Sequence, residues 1–461
     1  MSSSSSTLVY TPIEEISKIH ASLKENFNNG TGKLADINYR KNQLLQLGYI
    51  FQDNFSRWEE ALAKDMGRPR LDSYMCVLYA YNNVNSWAKP SGPSTWNYIW
   101  APLSPTILKE PKGVVLYILP FNLPIWTLTG LAGAIAAGCP CVIKPSELTP
   151  ASAALMAELF PKYLDQDLYR IVNGGVEETT KLLELPWDHI MYTGSGRVGR
   201  IVATAAAKHL TPITLELGGK SPAIVDSTAN ISLSARRIFW GKVMNCGQIC
   251  VAPDYVIVTE DVKDEFIKEC EAAYKSFFPE GPEKSESFSR IISEGHTQRL
   301  KNLIDQTRGE IVFGGDVDIK ARYVSPTLVK NVALDDVLMQ DEIFGPVLSV
   351  VSVKNAGEAI RIINGRERPL ALYIFSNDSK LKKFVLENTL SGSVVVNDVV
   401  IQGGCHLVPF GGTGASGCLI CYFTSDTRHS ICINGQFFEF SIGKQIEAFT
   451  TTVNGIVTFE A

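Results

Sequence analysis

Between Gly113 and Leu217 short apolar runs alternate with segments of helical character, and this alternation constrains the fold more than any other feature of the chain. Val114–Leu119, Cys139–Lys144, Tyr169–Val172, His189–Thr193 and Ile213–Glu216 have the mostly apolar texture of strands buried on both faces. Leu128–Ala137, Pro150–Phe160 and Val198–Lys208 supply helices between them. Strands alternating with helices predict an α/β architecture with a doubly wound parallel sheet. Ligands of such sheets bind beyond the C-terminal strand ends. Asn122, Lys144, Gly194 and Glu216 fall at those ends.

A second alternating region spans about 222–400, with strands expected at Ala223–Val225, Tyr255–Val258, Tyr373–Phe375 and Val394–Asn397, and helices from Ile231 and over 262–277. Ahead of both regions lie helices. Thr11-Pro12-Ile13-Glu14 has the form of a capped start, with Thr at the N-cap, Pro at N1 and Glu at N3. Ile13, Ile16, His20, Leu23 and Phe27 then recur at helical spacing, and His20 is expected to pack rather than ligate. Further helices are predicted over about 38–52, 54–66 and 71–88. Trp96–Lys109 is short, aromatic and proline-rich, as expected of strands leaving the main body.

Composition excludes several classes. The chain has 461 residues, 45% hydrophobic and 20% charged, with a net charge of −5, so no basic stripe is available to track nucleic acid. Met1–Ser6 is polar and lacks the apolar stretch of a secretory signal. No apolar run approaches the roughly 18–20 residues of a membrane span. Ten cysteines diluted over this length fit a cytoplasmic protein with reduced thiols.

Two stretches carry the chemistry. Thr214-Leu-Glu-Leu-Gly-Gly-Lys-Ser-Pro222 presents one carboxylate, Glu216, before a Gly-Gly turn, and Asn245-Cys-Gly-Gln-Ile-Cys250 presents a thiol among small and polar residues. A thiol with a carboxylate base suits covalent chemistry at a carbonyl carbon. Cys246 stands four residues before Cys250, either as packing or as the partner of a protective reversible disulfide. Thr193-Gly-Ser-Gly-Arg-Val-Gly199 joins a strand to a helix, a place where backbone N–H groups can meet a phosphate, although such turns are common in α/β proteins. Lys144 and Glu147 read by themselves as a surface ion pair, and Asn122 between prolines as turn chemistry. Glu342-Ile-Phe-Gly-Pro346 reads as a packed turn. Cys418, Cys421, His429 and Cys432 imitate a metal-ligand spacing but lack two clean paired knuckles, so no metal is expected.

Together these motifs, in this order, closely resemble those of the aldehyde dehydrogenase superfamily over about residues 10 to 417, and specifically its class 3 and fatty-aldehyde branch. The resemblance implies a Rossmann-type cofactor domain (1–92 and 110–215), an α/β catalytic domain (216–400), and a small strand oligomerisation element (93–109 and about 401–461). It makes Cys250 the nucleophile, Glu216 the base and Asn122 the oxyanion donor. Lys144, Glu147, Gly194, Ser195, Gly199, Leu217, Gly218, Glu342 and Phe344 would bind NAD, with NADP possible because relatives often take both. The substrate implied is an aldehyde, oxidised to its acid by hydrolysis of a thioester rather than by transfer to coenzyme A. Phe121 and Leu123, where the family usually has Trp and Tyr, point to an apolar medium- or long-chain or aromatic aldehyde. The branch is typically homodimeric. Residues 418–461 do not follow it, and Gln402 stands where a His is often found. The altered tail leaves a second reading, a catalytically impaired binding or structural relative.

Overall fold

A computed structural model describes residues 8–29, 31–67, 108–125, 128–404, 410–418 and 450–452, with short pieces at 81–82, 84–85 and 88–89. Most of the expected helix over 71–88, most of the aromatic segment Trp96–Lys109 and most of the tail lie outside the described residues.

The strands in chain order are β1 (Lys109–Pro111), β2 (Val115–Ile118), β3 (Cys141–Lys144), β4 (Tyr169–Ile171), β5 (His189–Gly194), β6 (Ile213–Leu217), β7 (Pro222–Val225), β8 (Tyr255–Thr259), β9 (Glu310–Phe313), β10 (Val317–Asp318), β11 (Tyr323–Val324), β12 (Thr327–Lys330), β13 (Val347–Val353), β14 (Ala371–Phe375), β15 (Ser393–Val396), β16 (Gly417–Cys418) and β17 (Thr450–Thr452). They form two large sheets. The first runs β16-β6-β5-β2-β3-β4, all parallel except β16. Chain order runs outward one way from β2 to β4 and the other way from β5 to β6. The switch point lies between β2 and β5, where such sheets open a ligand crevice. Its faces are divided by strand alternation. Val115, Tyr117 and Leu119 join one core, while Val114, Leu116 and Ile118 join the other.

The second sheet runs β15-β14-β7-β8-β13-β12-β9, parallel apart from β9. Again alternate residues serve two cores: Tyr255 and Ile257 on one face, Val256 and Val258 on the other. Two doubly covered parallel sheets give the α/β fold expected, a Rossmann-like unit and a catalytic unit. The short pairs β1–β17 and β10–β11 are antiparallel.

Local chemistry explains several element boundaries and corrects one expectation. The first helix is Ile13–Asn29, but Thr11 does not cap it as the sequence suggests. Its N–H bonds the Asn173 carbonyl at 2.8 Å and its hydroxyl accepts the Asn173 N–H at 3.1 Å, so Thr11 ties the N-terminal chain to the loop after β4. A long-range partner won over the local one. His20 packs edge-on against Trp187 at 4.6 Å, as expected of a core histidine. The helix Pro150–Tyr163 starts under Asp65, whose two carboxylate oxygens accept the Ala151 and Ser152 N–H groups at 3.0 and 2.8 Å. Helices Thr31–Ala35, Val176–Leu183, Glu294–Gln306, Ala356–Asn364 and Ser379–Asn388, and strands β9 to β13, were not anticipated from the sequence.

Candidate active site

The stretch that carries Cys250 follows the helix Ile231–Val243 and leads into β8. Asn245, Cys246 and Gly247 take φ of +49°, +55° and +72°, three successive left-handed residues that turn the chain back on itself. Gly247 is obligatory there. A Cβ would lie 2.2 Å from the Gly345 carbonyl oxygen, so the turn packs backbone to backbone against the Glu342–Pro346 loop. Gln248 fixes the turn from inside: its side chain accepts the Ile292 N–H at 2.9 Å and donates to the Arg290 carbonyl at 3.0 Å. Asn245 donates to the Asn122 and Gln248 carbonyls at 3.1 Å each. Asn122, after β2, donates its own amide to Gln248 O at 3.0 Å. The loop after the first sheet's strongest strand is thereby bolted to the loop that carries Cys250.

Glu216 lies on β6 in register with Thr193 of β5. It is buried, and the Cys250 thiol and the Thr193 hydroxyl are both directed at it. Burial pushes its pKa up to about 7, against those two hydrogen bonds. Its Oε1 is buried with no hydrogen-bond partner among the described residues. Burial, and then the neighbouring Glu216, push the Cys250 thiol well above its ordinary range. The resting pair is therefore a protonated thiol beside a carboxyl that titrates near neutrality. Cys246 sits elsewhere. It packs with Tyr255 and Ile257 on one face of the second sheet, whereas Cys250 packs against the core of Val256 and Val258 on the other. Both are free thiols.

The second carboxylate, Glu342, lies against the Gly218–Gly219 turn. A Cβ at Gly218 would come within 2.2 Å of its Oε2, and the Gly219 N–H bonds to it. Burial, then the charge of Asp254, raise Glu342 to about 8. Asp254 is the hub of a buried ion cluster. It pairs with Lys220, lies 3.5 Å from the Lys242 ammonium, and accepts the Ile343 N–H at 3.1 Å. Burial opposes its ionisation, but Lys220 and Lys242 outweigh burial and hold it below the usual carboxylate range. This cluster binds the Glu342 loop to the loop that carries Cys250. Lys220 stands in one motif stretch and Asp254 four residues beyond the other, but nothing local in the sequence tells that they meet.

Three features fit a dinucleotide. Lys144, at the C-terminal end of β3, has a buried ammonium 2.5 Å from the half-exposed Glu147 carboxylate. The helix Gly196–Ala207 follows β5 of the same sheet, its N-terminus capped by Ser195, whose hydroxyl accepts the Val198 N–H at 3.4 Å. A Cβ at Gly196 would meet nothing nearer than 3.6 Å, so there is room above that terminus. Gly199 brings the helix onto β6, where an added Cβ would lie 2.8 Å from Leu217 Cδ2. Phe344, at φ +48°, meets Phe121 edge-on at 5.7 Å, and Phe121 also meets His296 at 5.5 Å. The residues singled out from the sequence thus gather along the C-terminal ends of the first sheet and the facing loops of the second. Among the described residues no group of His, Cys, Asp or Glu could hold a metal; of the tail residues with metal-like spacing only Cys418 is described.

Residues 13–420 match the aldehyde dehydrogenase family. The chain is 44% identical over 404 residues to aldehyde dehydrogenase family 3 member A2 of Rattus norvegicus, covering 86% of this chain and 82% of that protein. It is 42% identical over 408 residues to the rat dimeric NADP-preferring aldehyde dehydrogenase, covering 86% and 88%. The substrate-bound Staphylococcus aureus AldH structure superposes with a TM-score of 0.86 at 36% identity, covering 95% of this chain and 92% of that one. Fold, site and kinship agree: this chain belongs to the aldehyde dehydrogenase family. Its activity is the NAD(P)-dependent oxidation of an aldehyde to the carboxylic acid.

Proposed function

We propose that Cys250 is the nucleophile, Glu216 the base and Asn122 the oxyanion donor of this reaction, and that the apolar wall selects an apolar medium- or long-chain or aromatic aldehyde. The observation that carries this reading is the half-buried Cys250 thiol facing a buried Glu216 carboxyl whose Oε1 has no partner among the described residues. The thiol gives up its proton as sulfur attacks the aldehyde carbon, and Glu216, titrating near 7, is a local acceptor for it. The Asn122 amide, beside the nucleophile loop, then stabilises the thiohemiacetal oxyanion. A nicotinamide held by Leu217, Gly218, Glu342 and Phe344 would supply the hydride acceptor. Once that first proton has passed to solvent, Glu216 removes a proton from the water that attacks the Cys250 thioester, the acid leaves and the Cys250 thiolate is regenerated, which makes the enzyme hydrolytic rather than coenzyme A-acylating.

Lys144 and Glu147 are assigned to the adenine ribose, and Gly194, Ser195 and Gly199 to the pyrophosphate turn. Leu217, Gly218, Glu342 and Phe344 form the nicotinamide end. A carboxylate at Glu147 favours NAD over the 2′-phosphate of NADP, while the likeness to an NADP-preferring relative supports use of both. The domains proposed are 1–92 with 110–215 for cofactor, 216–400 for catalysis, and 93–109 with about 401–461 for assembly. A homodimer is supported by that relative, described as dimeric. No helix among the described residues is long and apolar enough to cross a membrane. The six described cysteines are free, which supports a cytoplasmic setting. No observation favours the impaired-relative reading.

The test is NADH formation from NAD with a panel of aliphatic and aromatic aldehydes, wild type against Cys250→Ala. Turnover in the wild type, rising with aldehyde apolarity and lost in the variant, is expected. NADH formation by folded Cys250→Ala at the wild-type rate would remove Cys250 from the chemistry.

A further inference from the structure

Tyr373 stands in the middle of β14, wholly buried, and its ring belongs to the same core against which Cys250 packs. Its hydroxyl is the meeting point of three backbone segments. It donates to the carbonyl of Val251, the residue after Cys250. It accepts the Val400 N–H at 3.3 Å and the Gln402 side-chain amide at 3.0 Å. The same Gln402 nitrogen lies 3.5 Å from Ser393 Oγ, on the neighbouring strand β15.

The segment it holds is unusual. Val400 has φ +66° and Asn397 φ +59°. A β-branched residue avoids the left-handed region and keeps it only where the surroundings enforce it. Asn397 is enforced by Ser376, whose N–H it accepts at 3.0 Å and to whose carbonyl it donates at 3.2 Å. Val400 is enforced by Tyr373. Val400 and Ile401 pack on the core beside Cys250, so the segment and the nucleophile share one wall. The phenol also resists ionisation, raised above its ordinary range by burial, so its proton stays available to Val251.

Packing alone would be served by phenylalanine. What the hydroxyl adds is a fixed carbonyl one residue beyond the nucleophile, tied to the loop at 400–402. We propose that Tyr373 is a positioning residue: through Val251 it holds the Cys250 thiol in its attack geometry, and through Val400 and Gln402 it makes that geometry depend on the loop. The inference rests on Cys250 being the nucleophile.

The test compares Tyr373→Phe with wild type, with Cys250→Ala alongside. Four quantities are read: thermal midpoint, equilibrium NAD binding, Cys250 alkylation by iodoacetamide resolved by peptide mass spectrometry across pH, and the first-turnover burst of NADH. The positioning role predicts a midpoint within a few degrees and unchanged NAD affinity. Alkylation and burst should slow by about 10- to 100-fold, the scale on which a misplaced reacting group loses rate, and the pH profile of alkylation should shift. Alkylation and burst at wild-type rates in folded Tyr373→Phe would overturn the proposal. If that variant does not fold, Gln402→Leu keeps the phenol and removes one of its two donors. A severalfold slower alkylation then supports the proposal, and an unchanged rate overturns it. NADH formation by Cys250→Ala would instead strike at the nucleophile itself, a different failure, and would take the proposal with it.

Discussion

A carboxyl buried beside a thiol spends much of the working pH range uncharged. For Glu216 burial places the transition near 7, and for Glu342 near 8. Two consequences follow. The deacylation limb of turnover should rise with pH through about 7, where Glu216 becomes a base. Stability should move the other way. A carboxyl whose folded pKa lies above its unfolded one stabilises the fold fully at low pH, and that contribution is lost as pH rises through the folded value. Glu216→Gln removes the charge in both states. It should cut steady-state turnover by about 10²-fold or more and slow the first burst of NADH as well, because Glu216 also takes the Cys250 proton. It should also raise the thermal midpoint at pH 8, by an amount on the order of 1–3 kcal/mol in free energy, with the gain vanishing near pH 4. A midpoint at pH 8 equal to the wild type's would contradict the buried, raised carboxyl.

At the scale of the element, the turn at 245–247 and the loop at 342–346 act as one piece. Gly247→Ala forces a Cβ both into a left-handed backbone and against the Gly345 carbonyl, a rigid neighbour. It should destabilise by roughly 2–3 kcal/mol and abolish NADH formation, read by urea titration and the aldehyde assay together. Here lies the boundary of what the sequence discloses. The alternation of Val114–Leu119 with its helices was legible because a parallel strand is apolar throughout, and the stretches around Glu216 and Cys250 stand out because each motif is local. Strands β9 to β12 are two to four residues long with mixed polarity, and no period emerges from such lengths. Thr11 was misassigned because its partner, Asn173, lies far along the chain. The Lys220–Asp254–Lys242 cluster and the Tyr373 hydroxyl were hidden for the same reason: each joins segments far apart in the chain whose adjacency the sequence does not state.

Across the whole molecule, the helical N-terminal part and the second sheet are joined by polar main-chain contacts. Arg322, itself at φ +52°, donates to the Asp65 carbonyl at 2.6 Å and the Ile292 carbonyl at 2.9 Å, and the Arg290 N–H bonds Met66 O at 2.7 Å. Asp65 also starts the helix under the cofactor sheet, so one arginine touches the support of both units. Arg322→Met leaves buried carbonyls without a charged donor, a cost of about 2–4 kcal/mol. The expected calorimetric trace is broadened or split into two transitions. One sharp transition at the wild-type midpoint would show that the units are coupled by other contacts.

The last strand of the first sheet carries a further implication. β16 is two residues long, runs antiparallel to β6, and sets Gly417 opposite Glu216. Without it, β6 would offer a row of unpaired amides and carbonyls to any passing chain, the usual seed of misassociation. Gly417 suits the task because a side chain there would strike the Leu215 carbonyl. A protein shortened to end before Gly417 would keep Cys250, Glu216 and every residue proposed to bind the cofactor, yet is expected to elute from size exclusion as concentration-dependent aggregates. What β16 supplies is insulation: it lets the base lie at the rim of its sheet without making that rim adhesive.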